Sequence, residues 1–151
     1  MSLRLCAHNE TADPPFALPP RLPSRLEQFH AYWRDLLRGG AQMPFADDLK
    51  PTELPDLAHR TLLVDVFEKP VRFRLQAVGK ALGPDDLNGR FLDETDLNPP
   101  LDYLDAQCSA TVEAGAPTFF RGDAERPHSR LVLPFWGNGQ ISLLLGAIDF
   151  V

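Results

Sequence analysis

In "VRFRLQAVGKAL" (71–82), Arg72 and Arg74 alternate with Val71, Phe73 and Leu75, which sets two cations on one side of an extended segment. Such a stripe suits a nucleic-acid surface, a clamp for an anionic substrate, or the wet face of a sheet whose other face is apolar. The net charge of -6 disfavours the first, because an acidic chain is repelled by phosphate backbones and anionic membranes. Between residues 81 and 116 eight carboxylates, among them Asp93, Glu94, Asp96, Asp102 and Asp105, face one base, Arg90. "DETD" (93–96) lacks the central glycine and terminal glutamate of a calcium loop, so the cluster reads as a solvated face with helix-capping acids, and no metal is expected. The four histidines, His8, His30, His59 and His128, are scattered without ligand spacing. Cys6 and Cys108 form no disulfide framework; Cys108 is expected as a small core residue, its alternative being a redox-sensing thiol. Nucleophile elbows, phosphate-binding loops and His-Glu-x-x-His helices are missing from the sequence. The aromatic pairs Phe119/Phe120 and Phe135/Trp136 could stack a planar ligand, but neighbours on a strand point to opposite faces, so one of each pair at most turns inward.

The elements that must position these side chains follow from periodicity. "DPPFALPPRLP" (13–23) holds five of the fifteen prolines and reads as an extended lead-in spanning 1–23. "SRLEQFHAYWRDLLRGG" (24–40) predicts an amphipathic helix over 24–38, with Leu26, Phe29, Trp33, Leu36 and Leu37 on its apolar stripe. Ser24 and Glu27 stand at capping-box spacing, and Gly39 and Gly40 supply the stop. A helical turn is expected within 51–57. "RTLLVDVFE" (60–68) and "VRFRLQAVG" (71–79) predict a hairpin, and 82–100 short turns. "PLDYLDAQCSATVEAG" (100–115) predicts a second helix with Leu101, Leu104, Cys108, Thr111 and Val112 on one face. Strands follow at 117–123, 129–136 and 140–151, the last two joined by Gly137-Asn138-Gly139. The fold class is α+β, one domain over 24–151: a five-stranded antiparallel sheet with helices on one face and an N-terminal amphipathic helix.

With these elements in place, "YWRDLLRGGAQMP" (32–44), "LPDLAHRTLLVDV" (54–66), "FRLQAVGKAL" with "DLNGRFLDE" (73–94) and "RLVLPFWGNGQISLLLGAIDF" (130–150) together resemble a PAS domain, in particular stand-alone bacterial PAS-like proteins. The resemblance runs from about residue 30 to the end. It implies a small molecule cupped between the sheet's inner face and the middle helices, and a signal passed through the sheet's outer face or a flanking helix. On that basis Val71, Phe73, Leu75 and Ala77 face inward, and Arg72, Arg74 and Gln76 face outward to pair with acids. The ligand-binding candidates are Phe73, Leu75, Tyr103, Cys108, Leu133 and Phe135. "NGRFL" lacks the reactive cysteine of flavin-binding PAS domains and "LDYLDAQCSATVEAG" lacks the histidine of haem-binding ones, so the residues support neither cofactor.

The function expected is non-catalytic: a sensory or protein-interaction module in bacterial signalling that binds a small molecule, dimerises, or does both. With no effector segment after the last strand it is expected to act in trans, on a second copy or a separate signalling protein. Phe29, Tyr32, Trp33 and Leu36 are the expected dimer face, with Tyr32 and Trp33 exposed. The N-terminus lacks a signal-peptide apolar run and no stretch is long enough to span a bilayer, so a cytoplasmic place without membrane or nucleic-acid partners is expected. Two alternatives remain open. One is a small cone-shaped α+β barrel enzyme acting on a small apolar substrate, which needs a buried titratable pair. The other is an interaction module whose interior is packed shut.

Overall fold

The computed structural model describes residues 16–50, 58–123 and 127–150; the helical turn expected at 51–57 and most of the lead-in lie outside them. Five strands, β1 (Thr61–Phe67), β2 (Arg72–Val78), β3 (Thr118–Gly122), β4 (His128–Gly137) and β5 (Gln140–Phe150), pair antiparallel in the order β2-β1-β5-β4-β3. Among the described residues two α-helices accompany them, α1 (Ser24–Asp35) and α2 (Leu104–Ala114), with 3-10 turns at Ala46–Asp48, Ala58–Arg60, Asp85–Leu87 and Leu92–Glu94.

The two helices lie on opposite faces of the sheet. Leu62, Val64 and Val66 of β1, Phe73 and Leu75 of β2, and Leu144 and Ile148 of β5 pack with Leu104 and Cys108 of α2 and with Leu92 and Leu101. On the other face Leu26, Phe29 and Trp33 of α1 cover Leu131, Leu133 and Phe135 of β4 and Leu145 and Ala147 of β5. Helices are therefore not confined to one side, because the apolar stripe of α1 finds its partner in the odd-numbered residues of β4. The indole Nε1 of Trp33 donates to the Pro134 carbonyl (2.8 Å), which satisfies the one polar atom of a side chain only 5 % exposed. Since α1 has 12 residues, about 18 Å of helix, it roofs only the β4–β5 half of this face.

Local chemistry sets the boundaries. Ser24 sits one residue inside α1, with Pro23 at the cap and no side-chain cap, so the capping box does not form; Glu27 N donates to the Pro23 carbonyl (2.9 Å) and the Glu27 carboxylate accepts from Arg34 (2.8 Å). The helix ends at Asp35 rather than 38. The chain continues in tighter turns, Leu36 N to Trp33 O, Leu37 N to Arg34 O and Ala41 N to Arg38 O, before Gly39 turns left-handed at φ +55°. Gly115 closes α2 at φ +63°, as the sequence predicts. In the β4–β5 hairpin Asn138 (φ +56°) and Gly139 (φ +80°) take the paired left-handed conformations that a tight turn needs. At Gly79 a Cβ would lie 2.1 Å from the His59 carbonyl oxygen, so no other residue fits where β2 leaves β1.

Both outer strands have company. Leu75 N donates to Arg90 O (2.8 Å) and Gly89 N to Leu75 O (2.7 Å), so residues 89–91 run along β2. At the opposite edge Phe119 N of β3 donates to Phe16 O of the lead-in (3.0 Å).

Candidate functional site

The inner face of β2 carries Phe73, Leu75 and Val78 as buried residues, whereas Val71 is 52 % exposed and Ala77 is exposed. The shift from Ala77 to Val78 has a register cause. Leu63 pairs with Ala77 and Val64 with Leu75, which leaves Gln76 as an extra residue and turns the strand over by one position. Of the six expected ligand-contacting residues, Phe73, Leu75 and Cys108 come together in the core between the sheet and α2. Leu133 and Phe135 do not join them; they lie under α1 on the opposite face. Tyr103 is 64 % exposed, held at φ +61° just before α2. Burial pushes the Cys108 thiol up to about 12, with the Arg130 charge acting weakly the other way, so at neutral pH it is a core thiol and not a nucleophile.

Where β2 and α2 part, a cleft of about 230 Å³ opens at the surface. Phe73 and Leu92 form its apolar floor, Val71 and Ala106 its walls, and Asp105 and Ser109 its polar rim on α2. Arg72 and Asp93 also line it; Arg72 donates to both oxygens of Asp93 (2.9 Å each) and to Glu94 (3.0 Å), with its guanidinium 3.8 Å from the centre of the Phe91 ring. These bonds hold the Asp93 carboxyl below the usual carboxylate range and raise Arg72. Arg74 pairs with Asp65 (2.9 Å), which also accepts from Gln76 (2.8 Å). The alternating arginines are thus an ion-paired outer face, as the strand pattern predicts.

The interior also holds a polar network that the sequence reading left out. Arg130, fully buried on β4, donates through Nε to Gln107 Oε1 (2.7 Å) and through its two Nη atoms to the Pro100 (2.8 Å) and Asp102 (2.9 Å) carbonyls. Its guanidinium lies 4.8 Å from the Phe120 ring centre. Gln107 Nε2 donates to Thr118 Oγ1 (3.1 Å) and to the Arg130 carbonyl (3.2 Å), and Thr111 donates to the Gln107 carbonyl (2.8 Å). The 2.6 Å bond between the two threonine hydroxyls must then run from Thr118 to Thr111, since the Thr111 proton is already committed. Burial pulls Arg130 down to about 10, against the raising effect of Asp102 and Asp105. Two residues along the same strand face, buried His128 places Nε2 3.2 Å from Asp102 Oδ1. Polar residues at 107, 111, 118, 128 and 130 thus tie α2, β3 and β4 together. The one signal in the sequence was that 128, 130 and 132 share a face, which would have required knowing which face of β4 looks inward.

A second, larger cleft of about 510 Å³ lies between the end of α1 and the β4–β5 hairpin. Phe45 and Trp136 stand exposed in it, and Arg38 is clamped by both oxygens of Asp48 (2.8 and 2.7 Å). Among the described residues, no three His, Cys, Asp or Glu side chains converge on a point, and no helix is long and apolar enough to cross a membrane.

The expected dimer face on α1 is largely spent within the chain. Phe29 is fully buried, Trp33 nearly so, and Leu36 packs at their margin; half-buried Tyr32 accepts from Lys50 N (3.1 Å). Trp33 is therefore not the exposed aromatic expected. Comparison with protein-family models, with curated proteins and with solved structures finds no match.

Proposed function

We propose that this chain is a PAS-like signalling module that acts by binding, with a small molecule seated in the cleft between β2 and α2. The order helix, two strands, short turns, helix, three strands around a five-stranded antiparallel sheet is compatible with that fold. The observation that carries the reading is the β2–α2 cleft: an apolar floor at Phe73 and Leu92 reached past a polar rim at Asp105 and Ser109. At about 230 Å³ it falls below the roughly 300–1,000 Å³ of drug-sized sites, so its occupant is small, with an apolar body and a hydrogen-bonding or cationic end. Native mass spectrometry of freshly purified protein tests this. A mass lost on denaturation, and lost also in a Ser109→Phe variant that plugs the exposed rim, is the expected result. Bare protein before and after incubation with small-molecule mixtures would sink it and leave a module with a filled interior.

One observation favours a second reading, acid–base catalysis: the buried His128–Asp102 pair beside Arg130. An imidazole that meets substrate must be reached by reagents. Acylation of His128 by diethyl pyrocarbonate in the folded protein would support the enzyme; modification only after unfolding supports the binding module.

A further inference from the structure

Two large aromatic side chains stand side by side in solvent. Phe45 is 43 % exposed and Trp136 38 % exposed, and both line the cleft of about 510 Å³ beyond the end of α1. Trp136 N donates to the Pro44 carbonyl (2.9 Å) and Phe45 bridges Trp136 in parallel, so the segment that carries Phe45 is stitched to the end of β4. Opposite Trp136, β5 holds an extra residue. Phe135 pairs with Leu143 and Trp136 with Ile141, which leaves Ser142 over, and Ser142 lines the same cleft. Around the rings stand polar groups: exposed Asp47, the Arg38–Asp48 pair, and Asn138 at the left-handed turn (φ +56°). A single aromatic on a surface is ordinary, but two fixed together by backbone bonds in a polar cleft make a platform.

We propose that this cleft binds a neutral pyranose sugar, either free or as part of a glycan. The rings offer a flat apolar surface to the C–H groups on one side of the sugar. Sugar hydroxyls both donate and accept, so they suit a rim of mixed character, with carboxylates that accept and a guanidinium and an amide that donate. Arg38 gives Nε and Nη2 to Asp48 (2.8 and 2.7 Å), which leaves Nη1 for a ligand. Charge selects against the other classes. A cation would have to share the Phe45 ring with the Arg38 guanidinium, 5.6 Å from the ring centre, and an anion would face Asp47 and Asp48. A planar base calls for apolar walls on both of its faces, whereas this lining is more polar than apolar. The cleft shares no residue with the one between β2 and α2, so its occupant does not depend on the small-molecule reading.

Saturation-transfer NMR with the methyl glycosides of glucose, galactose and mannose, and with maltose, cellobiose and lactose, tests it. At least one of these is expected to bind, with saturation on its ring C–H protons. Trp136→Ala and Phe45→Ala are each expected to weaken that binding by about tenfold or more, and Trp136→Phe to keep most of it. A methyl glycoside held as tightly as the disaccharides identifies a free or terminal sugar, and a disaccharide held far more tightly identifies a longer glycan. No saturation of any of these sugars would overturn the proposal, as would binding indifferent to both alanine variants. Displacement of the sugar by tetramethylammonium would overturn it too, since the rings would then form a cation site. Should an alanine variant misfold, acrylamide quenching of the wild type decides. Of the two tryptophans Trp33 is only 5 % exposed, so quenching reports on Trp136. A bound sugar that shields it supports the site, and one that binds without shielding it refutes the site.

Discussion

Arg130 is a fully buried guanidinium that donates to the Gln107 side-chain oxygen and to the Pro100 and Asp102 carbonyls. Removing it strands Gln107 Oε1 and the Pro100 and Asp102 carbonyls. Arg130→Met is therefore expected to lower stability by about 3–5 kcal/mol in urea titration despite the lost desolvation cost; a neutral result would mean water replaces the guanidinium. Cys108 makes a pH-dependent prediction. Its thiol ionises near 9.0 when free and about 12 when folded, so between those values the unfolded chain releases a proton that the folded chain keeps. Stability then falls as pH rises through this window, by at most about 1.4 kcal/mol per pH unit. In Cys108→Ala that component vanishes, and the gap between wild type and variant should narrow from pH 9 upward; a constant gap would show that the thiol does not titrate differently on unfolding.

At the scale of elements, α1 and β4 decide one another. Phe29 and Trp33 are core residues of the outer layer, so Phe29→Ala should cost about 3–5 kcal/mol while leaving any self-association constant unchanged. A loss of dimers at full stability would restore α1 as the interface. Strand limits were legible to within a residue or two, because "VRFRLQAV" alternates and "GNG" can only turn. The Gln76 bulge was not, since an extra residue leaves alternation locally intact and reverses it only afterwards, at Val78. Nor was the facing of β4: after Arg130 both of its sides are apolar, so periodicity cannot tell Leu133 from Val132, and the ligand candidates Leu133 and Phe135 were assigned to the wrong side. The Arg130 network was lost with the same choice. Gly79→Ala, which drives a methyl into the His59 carbonyl, should detach β2 from β1 and abolish cooperative melting.

For the whole molecule, the sheet has α1 over its β4–β5 half on one face and α2 packed against β1, β2 and β5 on the other. Pairs as exposed as Arg72 with Glu94 contribute little to folding individually. Raising salt through the range where surface charges are screened is therefore expected to change the melting temperature little. The margins of the sheet carry a different consequence. Residues 89–91 take up the backbone N–H and C=O of Leu75 in β2, and Phe16 accepts from Phe119 N in β3, so a foreign strand meets a ladder partly in use at both edges. These contacts are expected to slow edge-to-edge growth. The chain's propensity to clump on warming should depend less on how stable the core is than on whether the short flap at Phe16 stays on; a chain starting at Leu18 would turn turbid at a lower temperature than it unfolds.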